Sequence, residues 1–177
     1  MSPTIALARP AADEHHPYYG RYVARVVGDD ALVPLTEQLA GTLSLLARVD
    51  EPRAAFRYAP GKWSVKQVIG HMVDTERVFA YRALCFARGD ATKLPGFDED
   101  AYVERAGSDE RALADLALEF GAVRAATIAL LRSLTPESAA RRGTANDATM
   151  SARAAAWVIA GHELHHRGVL LERYGLA

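Results

Sequence analysis

The sequence predicts an all-α chain, a four-helix bundle with long crossover connections. Three observations carry this. Alanine, leucine and arginine are frequent and β-branched runs are scarce, a composition that favours helix. Apolar residues recur at helical spacing in four long segments. Three of those segments open on a serine placed as a cap: Ser64, Ser108 and Ser151.

The elements follow in order. Residues 1–20 carry Pro3, Pro10 and Pro17 and read as an irregular or mobile leader, with 21–177 as a single helical domain. A first helix is predicted over Leu32 to Arg48, from the spacing of Leu35, Leu39, Thr42, Leu43 and Leu46, and Asp50-Glu51-Pro52 stops it. Pro60-Gly61 marks a turn. Ser64 and Gln67 then form an S-x-x-Q capping box at the head of a helix running to about Arg88, where Gly89 ends it. Thr92–Asp100 is a connection broken by Pro95-Gly96, and Glu99–Arg105 reads as a short helix. Ser108 caps a third long helix to about Leu134, with Asp109 and Glu110 opposing the helix dipole. Thr135-Pro136 starts a further turn of helix. Gly143–Thr149 reads as polar and irregular, and Ser151 caps the last helix, which ends near Tyr174-Gly175. The second and third of the links between long helices are too long for a simple up-down bundle.

Composition bounds the function. The 177 residues, half hydrophobic and 24% charged, fit one domain with a full core. A net charge of −1 gives no reason to expect nucleic acid or an anionic membrane as partner. No apolar run reaches the roughly 18 residues of a spanning helix, and the patch Ile5–Ala8 is too short for a secretory signal. One cysteine, Cys85, excludes an intrachain disulfide and a cysteine-cluster metal site, and it reads as a core residue. Together these point to a cytoplasmic protein.

The histidines carry the chemistry. His15 and His16 fall in the leader and read as solvated. His162 and His166 are four apart on a helix, so both imidazoles share one face and can converge on one cation. A firmly held metal needs another ligand, and His71 is the remaining histidine on a core helix. Three histidines leave coordination positions open, as catalytic sites do. His165 falls off that face. The pentad His162-Glu163-Leu164-His165-His166 also matches the H-E-x-x-H pattern of metallopeptidases. Its context fails that reading: the extended pattern requires Gly and His where this chain has Val169 and Glu172, and no strand-rich half precedes the helix.

The segments 58–90, 94–103, 116–134 and 156–170 resemble the DinB-like, or YfiT-like, metal-binding superfamily. The motif Lys62-Trp63-Ser64 before the second helix, His71 early in it and the H-x-x-x-H of His162 and His166 carry the resemblance. It implies a four-helix bundle with an unusual crossover, often homodimeric. It also implies one divalent metal, zinc or nickel, on His71, His162 and His166. Related families include thiol S-transferases, which implies a low-molecular-weight thiol as a possible co-substrate beside the small-molecule substrate.

The leading functional expectation is a metal-dependent enzyme that activates a thiol or water, an S-transferase or related hydrolase. Asp74 and Glu163 are the candidate bases or supporting carboxylates, while Glu76 reads as a solvated helix charge. Arg77 and Arg82 could hold carboxylates of a thiol cofactor but read more readily as surface residues. Trp63 reads as a packing anchor that could also wall a pocket. The alternatives are a non-catalytic, metal-holding stress-response module and the H-E-x-x-H metallopeptidase.

Overall fold

The computed structural model describes residues 6–176. Its helices are α1 (Gly20–Val23), α2 (Leu32–Leu46), α3 (Glu51–Ala54), α4 (Val65–Ala87), α5 (Glu99–Arg105), α6 (Leu113–Arg132), α7 (Pro136–Ala140) and α8 (Ala152–Glu172). Strands β1 (Arg142–Ala145) and β2 (Ala148–Ser151) form one antiparallel hairpin. The four long helices are α2, α4, α6 and α8.

The caps explain where these helices start. The Gln67 N–H donates to Ser64 Oγ at 3.0 Å while the Ser64 N–H donates back to Gln67 Oε1 at 3.1 Å, closing the expected box at α4. Ser151 Oγ accepts the Ala154 N–H at 3.0 Å at the head of α8. Ser108 behaves otherwise. It opens only a 3-10 turn, Ser108–Glu110, and Arg111 is extended before α6 begins at Leu113. Ser108 is buried against α4, where a Cβ on Gly70 would meet its Oγ at 2.3 Å. The start of α6 is instead satisfied from α3, through Glu51 Oε1 accepting the Leu113 N–H at 2.8 Å.

Neighbours around the bundle run α2, α6, α4, α8 and back to α2. Consecutive long helices α2 and α4 therefore stand on a diagonal, and so do α6 and α8, while α4 and α6 are adjacent. The crossovers are thus the first and third links. The second link, which its length marked as a crossover, joins neighbours. Its extra residues form α5 and a strand-like segment that docks on the hairpin: the Leu94 N–H donates to Thr144 O at 2.9 Å and Leu94 O accepts from Asn146 N at 3.0 Å.

Gly143–Thr149, expected to be irregular, is the hairpin itself. Asn146 and Asp147 both have left-handed backbone, φ 50° and 56°, which makes the two-residue turn whose twist suits a hairpin. Gly143 is required there, because a Cβ would lie 2.0 Å from the Phe86 ring.

The leader is irregular apart from two 3-10 turns, but its described part is docked. Leu7 is fully buried, its carbonyl accepts the Trp157 indole N–H at 2.8 Å, and Glu14 is buried in an ion pair with Arg153. The rest of the leader, residues 1–5, lies outside the described residues.

Two apolar clusters fill the bundle. One joins α1, the first half of α8, the second half of α4 and the hairpin. The other joins the first halves of α4 and α6 to Leu170 and Tyr174. The buried polar residues include Gln38, Thr42, His71, Thr75, Glu76, Arg82, Arg124, His162 and Glu163.

Candidate metal centre

α4 supplies His71 and the adjacent α8 supplies His162 and His166. His71 and His162 are buried and His166 half-buried. The Nε2 atoms of His71 and His162 are 3.0 Å apart, and those of His166 and His162 are 3.1 Å apart. Two Zn–N bonds of about 2.0–2.1 Å at a tetrahedral angle would place their nitrogens about 3.3 Å apart. Both of these pairs suit a shared ion, and the ligand atoms of all three residues lie within 4.8 Å of one another.

The electrostatics favour the same conclusion. Burial first, then the neighbouring His165, lowers the His71 pKa to about 4. Burial, with His71 and His165, lowers His166 to about 2, and burial with its histidine neighbours holds His162 well below its ordinary value. At neutral pH all three rings are uncharged. A neutral ring nitrogen either donates or accepts, so His162 Nε2 can satisfy only one of its two close neighbours by hydrogen bonding. A divalent cation satisfies all three lone pairs at once.

Packing fixes the rings. Trp63 lies against His71, with ring centroids 4.7 Å apart. Tyr22 meets His162 edge-on at 5.4 Å. That contact depends on Gly161, where a Cβ would lie 2.0 Å from the Tyr22 carbonyl oxygen, so only glycine lets α1 close on α8.

Two sizeable cavities reach the histidines, besides a space of about 10 Å³ between His162 and Arg124. A cavity of about 480 Å³ touches His162 and is walled by Tyr22, Thr75, Phe79, Arg82, Phe97 and Asn146. A second, of about 290 Å³, touches His166 and His165 and is walled by Trp63, Val169 and Tyr174.

Behind His162 lies a second buried cluster. Arg124 clamps Glu76 with two hydrogen bonds, Nε to Oε1 at 2.9 Å and Nη2 to Oε2 at 2.8 Å. Its Nη1 donates to Leu35 O at 3.1 Å. The same nitrogen lies 2.6 Å from Glu163 Oε2, an ion-pair contact without hydrogen-bond alignment. Thr42 Oγ1 donates to the other Glu163 oxygen at 2.5 Å. Burial raises the Glu163 pKa against the opposing pull of Arg124 and Thr42.

Several residues stand elsewhere than the sequence suggested. Glu76, read as solvated, is buried in this ion pair. Glu163 faces Arg124 and Thr42, so the glutamate of the H-E-x-x-H pentad is occupied inside the bundle and is not poised as a peptidase base. Asp74 lines neither cavity. It pairs with Arg77 at 3.6 Å, and Arg77 and Arg111 both hold Glu119 on α6 at 2.6 Å; burial raises the Asp74 pKa. Arg77 is on the surface as read, but Arg82 is only 2% exposed. Cys85 is buried in the core as read. Tyr22 and Arg124 carry no assignment from the sequence, and Thr42 falls on the helical stripe of α2 without a site role. Arg124 had a visible sign: it sits four residues from both Phe120 and Ile128, on the apolar stripe of α6.

No curated protein matches the chain. Among solved structures, YfiT from Bacillus subtilis superposes with a TM-score of 0.69 at 19% identity, over 94% of this chain and 90% of that one. That protein is described as a probable metal-dependent hydrolase with an unusual four-helix bundle topology, and the likeness establishes the fold. The profile of the DinB superfamily matches residues 35–170, a span that contains all three clustered histidines. The chain belongs to the DinB superfamily.

Proposed function

We propose that this protein is a metal-dependent enzyme in which His71, His162 and His166 hold one divalent ion, zinc or nickel. The convergence of three neutral imidazoles, with no carboxylate among them and two close contacts on His162 Nε2 of which a hydrogen bond can satisfy one, is the observation that carries the reading. Imidazole donors suit both metals. An ion held there would supply Lewis acidity, which brings the pKa of bound water or thiol toward neutrality.

The chain's own residues do the rest. Three ligands leave positions open for a nucleophile and a substrate. The 480 Å³ cavity offers a partly enclosed space for a small molecule at His162. Tyr22 and Trp63 hold the rings in place, and the network around Arg124 anchors α8 one residue beyond His162. A cavity of that size beside His162 favours turnover over simple metal holding. Water makes the enzyme a hydrolase, and a low-molecular-weight thiol makes it an S-transferase. The superfamily resemblance also supports a homodimer, which light scattering at micromolar concentration checks.

The test is metal analysis after dialysis against a weak chelator, followed by ester-hydrolysis and thiol-conjugation assays on zinc- and nickel-loaded protein. Stoichiometric metal with turnover in either assay is the expected result. Failure to take up either metal at neutral pH refutes the reading, and metal without turnover refutes the catalytic part.

A further inference from the structure

We propose that the cavity beside His162 is a subsite for a small molecule bearing a single carboxylate, with Arg82 as its anion partner and the rings around it enclosing an apolar body. This deepens the metal-enzyme reading, on which it rests for taking that cavity as the substrate's.

Arg82 is the starting observation. Among the described residues only two arginines are buried, Arg82 and Arg124. Arg124 has two carboxylates. Arg82 has none: its one hydrogen bond is from Nη2 to the Pro95 carbonyl at 3.0 Å. A guanidinium offers five donors and stays charged, so a buried one without a counter-ion is a strong call for an anion.

The guanidinium is also held ready. Its carbon lies 4.9 Å from the Phe79 ring centroid and 6.0 Å from that of Phe97, and both rings wall the cavity. Stacking on aromatic faces leaves the N–H edges available for an in-plane carboxylate.

Placement links this group to the histidines. His71, Thr75, Phe79 and Arg82 form one stripe of α4, and the last three line the cavity. Arg82 lies three turns from His71, about 16 Å along the axis. Between them Thr75 contributes to the cavity wall. A molecule anchored at Arg82 would lie over Phe79 and point its other end toward His162.

The charge of the anion follows from the surroundings. Asp98 and Glu99 also line the cavity, but both are exposed at its rim, where water screens them. Asp98 is further engaged in capping α5, accepting the Ala101 N–H at 3.1 Å. A lone guanidinium behind an acidic rim matches a carboxylate monoanion better than a phosphate dianion.

The experiment is calorimetric titration of 4-phenylbutyrate and its neutral amide, 4-phenylbutyramide, into chelator-treated and zinc-loaded protein. In wild type the acid should bind at least tenfold more tightly than the amide, with or without zinc. Arg82→Met should remove that preference and leave amide affinity unchanged, and Arg82→Lys should retain part of it. Amide binding shows that the variant cavity is intact. Wild type with nitrogen-15 arginine reports without any substitution: the Arg82 Nε–H resonance must shift with the acid and not with the amide. Equal binding of acid and amide, or acid binding indifferent to Arg82→Met, overturns the proposal. Protein that binds the acid through Arg82 but takes up no metal refutes the metal reading and keeps the subsite. Protein that takes up metal and ignores the acid does the reverse.

Discussion

Helices α4 and α8 build two buried polar clusters side by side, and these are resolved in opposite ways. His162 and Glu163 are consecutive residues. Glu163 enters a network in which Arg124 faces two carboxylates and Thr42 caps one of them. His162 enters a group of three neutral imidazoles in which its Nε2 meets two neighbours and can pair with only one by hydrogen bonding. Buried polar groups are normally paired, and an unpaired cluster needs a reason. The ion network supplies its own counter-charges, with only Glu163 Oε2 left without an aligned hydrogen bond, and reads as structure. The histidine cluster has more close nitrogen contacts than its hydrogen bonds can satisfy, and cavities of about 480 and 290 Å³ reach it, whereas only a space of about 10 Å³ touches the ion network. Need for an outside partner, more than burial or polarity, separates the site from its support.

The largest expected effect tests the support. Arg124→Met leaves Glu76 and Glu163 buried without a cation and should cost about 3–5 kcal/mol in chemical denaturation. Replacing Glu76 and Glu163 by Leu in the same chain should recover most of that loss, because the cost comes from unpaired charge. His71→Ala in chelator-treated protein should cost less than about 2 kcal/mol. Equal losses for the two single variants would erase the distinction between the clusters.

Metal affinity should respond in the opposite sense. Zinc at 100 times its dissociation constant should stabilise wild type by about 2.7 kcal/mol, seen as a rise in Tm. Alanine at His71, His162 or His166 should weaken zinc binding at least tenfold, a lower bound set by the roughly 10–100-fold cost of losing only supporting contacts. His165→Ala should change it much less. Full zinc stoichiometry in His71→Ala, with loss in His165→Ala, would reassign the ligands.

Acid sharpens the comparison through a third polar contact, the one that pins the leader. Burial raises the Glu14 pKa, but Arg153 and the Ala11 N–H outweigh it and hold the carboxyl at about 2, below its ordinary 4.5. A depressed folded pKa means stability that is present above pH 4.5 and disappears as pH falls toward 2. The difference between wild type and Glu14→Gln should therefore shrink across that window, from about 1.5–3 kcal/mol to near zero. Taking the difference cancels the histidines, which titrate in both proteins. Denaturation curves at stepped pH give the measurement, and a pH-independent difference would show that Glu14 does not act through its charge.

The sequence made the bundle and the histidines legible for the same reason: both are local patterns. Helical spacing and the Ser64-Gln67 and Ser151 caps depend on near neighbours, and His162 and His166 depend only on 3.6 residues per turn. Long-range choices were not legible. Nothing local says that α2 and α4 stand on a diagonal, or that Ser108 docks on Gly70 and gives up its cap. Glu76 and Arg82 look like ordinary helix charges until α6 brings Arg124 to the one and the Pro95–Phe97 link covers the other. Helical spacing gives a side chain's direction on its own helix, and the partner that decides its role comes from another element.

The hairpin gives the smallest effect and the sharpest check on that lesson, since its turn was written locally and still passed over as irregular. Asn146-Asp147 occupies the two left-handed positions of a turn that favours Asn followed by Gly. Asp147 is exposed, so Asp147→Gly removes backbone strain without removing buried contacts. Gly also gains freedom in the unfolded chain, which offsets part of the benefit, and the net gain should be no more than about 1 kcal/mol. Asn146→Gly should gain less, because Asn146 packs where a Cβ on Gly96 would meet its Oδ1 at 2.4 Å, closing the cavity wall. Zinc affinity should be unchanged in Asp147→Gly, because the turn contacts neither buried cluster. Destabilisation by Asp147→Gly would mean that its carboxylate holds a contact that outweighs the relief of the left-handed turn.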